Sequence, residues 1–213
     1  MKKIFLALFI ASICPLSAQQ QESRKFIWGI ETGFETQLTN IQSLGWNEPD
    51  KVPVAAERHA QGGSAGVFGR WQIWKGFSLQ SSFSVTSLPV KIRFDEGVYE
   101  TFRFTDLEVP LHFVMTNPGK NFPLRGSILI GGRLGWNMAG QPSDKVFLLR
   151  ERLALDAGMG VEIRLKNWRL QPELVYSHGL NNIHDVRNAP YDWVIGRIVR
   201  DRLTVRILVW REP

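Results

Sequence analysis

Hydrophobic and polar residues alternate with a period of two along most of this chain. Between Phe77 and Thr86, every even-numbered position carries a hydroxyl or amide side chain, and four of the five odd-numbered positions are apolar. Successive side chains of a β-strand point to opposite faces, so the pattern predicts a strand with one apolar and one polar face. The same alternation predicts eight strands, at residues 27–38, 63–73, 77–94, 98–115, 124–137, 149–165, 168–177 and 199–210.

The connections between these strands alternate in length. The tight ones are Lys75–Gly76, Asn117–Phe122 and Lys166–Asn167. The others are the long segments 39–62, 138–148 and 179–198, together with a long hairpin whose tip is 95–97. Outer-membrane barrels have this arrangement, with the short turns in the periplasm. We therefore expect both termini on the periplasmic side.

Two further features favour a membrane barrel over a soluble β-sandwich, which would explain the alternation equally well. Charged residues recur on the less apolar face of nearly every strand. Tryptophans fall near strand ends, where the aromatic girdles of membrane barrels lie: they are Trp28, Trp71, Trp74, Trp136 and Trp168. We predict an all-β fold, an eight-stranded antiparallel up-and-down transmembrane barrel in contact with outer-membrane lipid.

The first 18 residues have the composition of a secretory signal peptide. Lys2 and Lys3 precede a short apolar run that is well below the roughly 20 residues needed to span a bilayer. We expect cleavage after Ala18, a short periplasmic segment at 19–25 and the barrel at 26–211. Cys14 suggests a lipoprotein, but the bulky Ile13 precedes it where a lipobox requires a small residue.

Charge and cysteine content argue against a nucleic-acid partner and against stabilisation by disulfides. The formal charge of +6 falls to +4 once Lys2 and Lys3 are removed, and export together with the dispersion of basic residues along strands excludes a nucleic-acid partner. The single cysteine, Cys14, lies in the signal segment, so disulfides cannot stabilise the mature chain. Burial or membrane insertion must do so instead.

Charges of both signs occupy the polar face of the strands and would point into the lumen. An eight-stranded barrel encloses only enough space for side chains, so buried charges at this density must pair. We predict an ion-pair network that fills the lumen, and a proton or ion path is the alternative. Its members are Glu31, Glu35, Arg70, Asp106, Glu108, Arg125, Arg133, Arg152, Asp156, Glu162, Arg164, Arg169, Glu173, Arg202 and Arg206.

Candidate catalytic and metal-binding residues are few. Ser177 and His178 prompt comparison with barrels that hydrolyse lipids, but neighbours on a strand point to opposite faces and cannot exchange a proton directly. His59, His112 and His184 lack the spacing of metal ligands. We expect no enzymatic activity, no metal and no cofactor.

The long loops are the best candidates for contact with a protein partner, and periplasmic turns are a second. Residues 181–197 carry polar and aromatic side chains suited to an interface, although a mobile loop with nothing bound is an equal alternative. The candidate contact residues are His184, Asp185, Arg187, Tyr191, Asp192 and Trp193.

Four segments in the second half of the chain resemble the PorT-like outer-membrane β-barrel proteins. They are 106–111 (DLEVPL), 131–135 (GGRLG), 156–162 (DAGMGVE) and 172–183 (PELVYSHGLNNI), in the order of that family. The resemblance covers about residues 100–210 and implies an eight-stranded barrel in a Gram-negative outer membrane. The family's namesake is associated with type IX secretion, which implies a secretion accessory as an alternative role.

The end of the last strand departs from the usual pattern of such barrels. They commonly end on an outward-facing aromatic residue that the assembly machinery recognises, whereas Trp210 falls in the lumen phase of its strand. We expect either that the last strand pairing slips at Trp210 or that the terminal signal is degenerate.

Overall fold

The computed structural model describes residues 26–43, 55–56, 60–95, 98–117, 124–138, 147–185 and 195–211. These residues form eight long strands: β1 (Phe26–Ser43), β2 (Ala60–Trp74), β3 (Phe77–Asp95), β4 (Val98–Thr116), β5 (Leu124–Asn137), β6 (Glu151–Leu165), β7 (Trp168–Gly179) and β8 (Ile195–Arg211). Two-residue strands lie at Ala55–Ala56, Phe147–Leu148 and His184–Asp185.

The described part of the chain holds no helix of the length and apolarity that crossing a bilayer requires.

Each long strand pairs antiparallel with the next one along the chain, and β8 pairs with β1 to close the barrel. At the closure, Ile30 of β1 lies opposite Val209 of β8 on one side and Val67 of β2 on the other. Two of the turns are two-residue hairpins whose backbones enter the left-handed region, at Gly76 (φ 82°) and Lys166 (φ 33°). The predicted antiparallel eight-stranded barrel is confirmed.

The barrel has a turn end and a loop end. The turn end carries the first residue of β1, the last residue of β8 and the turns Lys75–Gly76 and Lys166–Asn167. The loop end carries the long connections. Trp28, Trp74 and Trp168 lie exposed at the turn end, and Trp136 lies exposed toward the loop end.

The outward face of the strands is apolar, as the alternation predicts. On β1 the side chains of Trp28, Ile30 and Phe34 are more than half exposed, whereas Glu31 and Glu35 point inward and are buried. A soluble protein would not expose so many large apolar side chains to water. A lipid environment explains this surface.

Toward the loop end, β1, β2, β7 and β8 extend two to five residues further than the sequence pattern predicts. In this part of the barrel the two faces of the strands exchange character. β3 buries Leu88 and Val90 inside the barrel, while Pro89 and Lys91 point outward and are exposed. Water replaces lipid around this part of the barrel, so polar residues face out and apolar residues fill the interior. The resulting apolar cap consists of Ala60, Leu88, Val90, Phe102, Phe104, Leu148, Ile183, Ile195 and Ile198.

A smaller aromatic cluster occupies the lumen at the turn end. Phe68 and Trp210 meet edge to face, with ring centroids 5.8 Å apart, and Leu208 packs beside them. Pairing of β8 with β7 continues through Trp210–Arg169 and Arg211–Trp168. The expectation of a slip at Trp210 is therefore wrong, because burial of the indole holds this strand in register.

Candidate functional site in the barrel lumen

The middle of the lumen is filled by charged side chains in equal numbers. Among the described residues, seven buried arginines (Arg70, Arg133, Arg152, Arg169, Arg200, Arg202 and Arg206) face seven buried carboxylates (Glu31, Glu35, Asp106, Glu108, Asp156, Glu162 and Glu173). We call these fourteen residues the lumen network. Its formal charges cancel, and each of its cations is an arginine, whose planar guanidinium can bridge several carboxylates.

Glu108 on β4 is the centre of the half of the network nearer the loop end. Its side chain is fully buried, and three arginines on three other strands contact it. Arg133 donates to Oε2 at 2.7 Å, while Arg202 and Arg152 reach Oε1 at 2.7 and 3.3 Å. One carboxylate therefore joins β4 to β5, β6 and β8 across the lumen.

Asp106, two residues earlier on the same face of β4, binds the next pair of arginines. Its Oδ2 accepts hydrogen bonds from Arg200 at 2.9 Å and Arg202 at 3.2 Å. Arg202 also lies 2.6 Å from Glu35 on β1. Arg200 donates from Nε to Gln37 at 2.7 Å, and its guanidinium lies 4.0 Å from the ring centroid of Phe104. The network is thus continuous with the apolar cap.

A histidine connects the two halves of the network. Arg133 donates from Nε to Asp156 at 2.9 Å, and His112 Nε2 lies 2.8 Å from the same carboxylate oxygen. Arg206 Nη2 lies 3.3 Å from His112 Nδ1. Because arginine can only donate, Nδ1 accepts this bond and Nε2 carries the proton that His112 shares with Asp156.

Toward the turn end the network ends in mixed ion pairs and amides. Arg206 binds Glu173 at 2.7 Å and Glu31 at 3.5 Å. Arg70 donates from Nε to Gln80 at 2.9 Å and from Nη2 to Gln171 at 2.9 Å. Its guanidinium also lies 5.2 Å from the Trp210 ring, beside the aromatic cluster. Arg169 and Glu162 form a further pair.

The structure buries the predicted lumen residues except Arg125 and Arg164. Arg125 is half-buried near the turn end, opposite Glu162 on β6. Arg164 is exposed, so its inclusion in the network is wrong. It lies in the lumen phase of β6, but only two positions before the turn at Lys166, and its side chain reaches solvent beyond the barrel rim.

Sequence reasoning missed several members of the lumen. Arg200 continues the inward phase of Arg202 and Arg206 and lies within the predicted eighth strand, but the predicted network did not include it. His112 lies on the polar face of β4 and is fully buried, yet as a histidine it was considered only as a metal ligand. In both cases, the position of the residue on the inward face of a predicted strand could have identified it as a member of the lumen.

The geometry of the carboxylates indicates ion pairing rather than acid–base chemistry. Asp106 and Glu108 share Arg202 between them, and each accepts from at least one other arginine. Within the described residues, no cluster of three histidine, cysteine, aspartate or glutamate side chains has a metal-binding arrangement.

Ser177 and His178 point to opposite sides of the barrel wall. The side chain of Ser177 is fully buried in the lumen. His178 is on the outer wall, where its Nδ1 lies 2.9 Å from Asp201 and its side chain is 56% exposed. The serine therefore cannot receive or give a proton through this imidazole.

The loop candidates for partner contact are only partly covered by the structure. His184 is buried and pairs with Leu148 in the short two-stranded sheet, so its assignment as an exposed contact residue is wrong. Asp185 is half-buried opposite Phe147. The other candidates, Arg187, Tyr191, Asp192 and Trp193, lie outside the described residues.

Solved structures that resemble this chain include one described as an outer membrane protein. OprG from Pseudomonas aeruginosa has a TM-score of 0.59 and 11% identity, with 88% of this chain and 96% of that chain covered. Neisserial surface protein A has a TM-score of 0.46 and 10% identity, with coverage of 87% and 97%. Ail of Yersinia pestis has a TM-score of 0.43 and 13% identity, also with coverage of 87% and 97%.

No curated protein matches this chain. Residues 17–185 match the family model of the outer membrane protein beta-barrel domain, which covers most of the sequence. The OprG likeness supports the same fold, and the apolar outer wall fits the same membrane. The chain belongs to the outer membrane protein beta-barrel domain family and resides in the outer membrane.

Proposed function

We propose that this protein is a non-enzymatic, non-conducting barrel that serves as a structural element or as a platform for a partner at the cell surface. The observation that supports this is the filled lumen. Seven arginines and seven carboxylates neutralise one another between the apolar cap and the aromatic cluster. An ion that crossed would have to break these buried pairs, which costs several kcal/mol for each stranded charge.

Conductance tests this proposal directly. Wild-type protein inserted into planar bilayers should give no stable porin-like currents. A matched Arg202→Ala/Glu108→Ala variant removes a central ion pair and enlarges the lumen without changing its net charge. Its conductance should therefore exceed that of the wild type, and it serves as the positive control. Stable wild-type currents of porin size would refute the closed lumen.

We propose that the turn end faces the periplasm and the loop end faces outward. The exchange of faces at Leu88 and Val90 supports this orientation. It indicates that the strands project beyond the lipid at the loop end, and outer-membrane barrels carry their long loops on the extracellular side. Protease added to intact cells should cut between β1 and β2 or between β7 and β8, and not at Lys75 or Lys166. Cleavage at those two turns in intact cells would reverse the assignment.

A partner at the loops is the interaction role that we favour. The segment that contains Arg187, Tyr191, Asp192 and Trp193 is the natural target for photo-crosslinking in membranes, followed by identification of the captured protein. Crosslinkers placed at exposed positions on the outer wall, such as Ile130, provide the background. Equal capture at both positions would argue for a structural role alone.

A secretion accessory is the second candidate, favoured by the four PorT-like segments. Deletion of the gene followed by measurement of secreted cargo distinguishes the two candidates. Unchanged secretion would exclude the accessory role and leave the structural or interaction role in place.

A further inference from the structure

A groove of about 640 Å³ crosses the outer wall of the barrel toward the turn end. Side chains from β1 to β4 line it, and among them are Phe26, Trp28, Trp71, Phe83 and Leu111. Its volume lies within the range of binding sites for small ligands. The apolar lining and the position on the lipid-facing wall restrict its occupants to molecules dissolved in the membrane.

A break in the strand ladder forms one side of this groove. Between β3 and β4 the register runs through Ser81–Leu111 and resumes at Ser84–Glu108. The interruption falls at Pro110, which has no N–H to donate to β3. The carbonyl of Pro110 accepts a hydrogen bond from Ser81 Oγ instead, at 2.8 Å.

The groove reaches the strand backbone beside this break. Ser82 and Phe68 line the groove, although both point their side chains toward the lumen. The Oγ of Ser82 is buried and has no hydrogen-bond partner. The loss of pairing therefore coincides with the floor of the groove.

Two small residues form the bottom of the groove. Gly69 on β2 lies directly opposite Ser81 on β3, and both are outward positions. A Cβ at Gly69 would come within 3.0 Å of the Phe26 ring, so larger side chains here would fill the groove. A second gap in the ladder lies at Pro172, between β6 and β7. The outward residues beside that gap are large, Met159 and Leu174, in contrast to Gly69 and Ser81.

A cationic residue lies beyond one end of the apolar groove. It follows the β2–β3 hairpin, whose turn places the exposed Lys75 four residues beyond Trp71. At the rise of about 3.3 Å per residue, this separation is roughly 13 Å. Trp71 lies between Gly69 and Lys75, and Trp28 lies opposite Gly69. Indoles near the ends of barrel strands commonly meet lipid headgroups. An occupant with an anionic head and an acyl chain matches this order of groups.

We propose that the groove binds one anionic phospholipid of the leaflet at the turn end, with an acyl chain over Gly69 and Ser81 and the phosphate beside Lys75. In the orientation proposed above, this is the periplasmic leaflet. Other molecules of the membrane contact the wall without preference, whereas this lipid exchanges more slowly because the groove holds its chain.

Photo-crosslinking tests the site without reference to the orientation or to any activity. The purified barrel is reconstituted into vesicles that contain phosphatidylglycerol with a diazirine in one acyl chain. Labelled peptides are then mapped by mass spectrometry. We expect labelling concentrated on the groove residues, well above that at the Pro172 gap.

Variants that fill the groove supply the control. Gly69→Leu and Ser81→Leu should each reduce groove labelling about tenfold, which corresponds to roughly 1.4 kcal/mol. Gly63→Leu adds the same bulk at an outward position of β2 where the nearest atom to a new Cβ is 3.6 Å away, and it should leave labelling unchanged. The gel mobility of unheated barrel reports folding of each variant.

The headgroup is tested separately through Lys75. Lys75→Gln should reduce labelling by phosphatidylglycerol about threefold, an effect typical of one exposed ion pair, and leave labelling by phosphatidylcholine unchanged. Even labelling around the wall, or equal labelling of Gly69→Leu and Gly63→Leu, would overturn the proposal. Groove labelling that falls as the number of barrels per vesicle rises would identify a second copy as the occupant and would overturn the proposal as well.

Discussion

Replacement of Glu108 by alanine should destabilise the barrel by about 3–5 kcal/mol, the usual result of stranding one member of a buried ion pair. The three arginines that contact Glu108 differ in what remains to them. Arg133 keeps Asp156 at 2.9 Å, and Arg202 keeps Glu35 at 2.6 Å. Among the described residues, Arg152 keeps a hydrogen bond only to the carbonyl of Arg200, at 3.2 Å. The uncompensated charge of Arg152 therefore accounts for most of the expected loss.

The measurement is the urea midpoint of unfolding in lipid vesicles or detergent. Glu151→Ala removes an exposed carboxylate next to Arg152 on β6 and should change the stability by less than about 0.5 kcal/mol. Adding Arg152→Met to Glu108→Ala should restore at least about 1 kcal/mol, since the two residues are in contact. A wild-type midpoint for Glu108→Ala would show that the carboxylate carries no stabilising pair. Failure of Arg152→Met to restore stability would place the loss elsewhere.

Four further substitutions test other parts of the barrel by the same unfolding measurement. Trp210→Ala should cost about 3–5 kcal/mol because it empties the aromatic cluster, whereas the exposed Trp74→Ala should cost far less. Arg200→Lys should cost about 1–3 kcal/mol, because lysine cannot bridge Asp106 and Gln37 with a planar fork. Arg164→Ala should change little, and a loss comparable to that of Glu108→Ala would return Arg164 to the network.

The sequence predicts the strands and their two faces well because both follow from local periodicity. Glu108 and Arg133 fall in the inward phase of their strands, and no long-range information is needed to place them there. Local periodicity does not predict which residues pair with them across the lumen. Arg202 lies 94 positions after Glu108 in the chain and contacts it across the lumen. Only closure of the barrel determines which inward residues come into contact.

The errors arose where the environment of a strand changes along its length. The alternation at Leu88 and Val90 has the same period as that at Ser82 and Ser84, but the medium outside has changed from lipid to water. Period alone cannot locate that boundary, so strand extensions and the apolar cap were missed. Arg164 shows the same effect at the other end, where an inward phase meets solvent beyond the rim.

The charged lumen specifies register more than it adds stability. An apolar filling of the same volume would often be equally stable, since buried ion pairs barely recover the cost of desolvation. Such strands would be apolar on both faces, however, and a slip by one residue would then carry little penalty. With Arg202 and Arg206 on the inner face of β8, a slip would turn both toward lipid, at about 2–4 kcal/mol each near the midplane. The same slip would turn Leu203 and Val205 into the lumen opposite unpaired carboxylates. The network therefore selects one closure of the barrel from the many that the alternation alone allows.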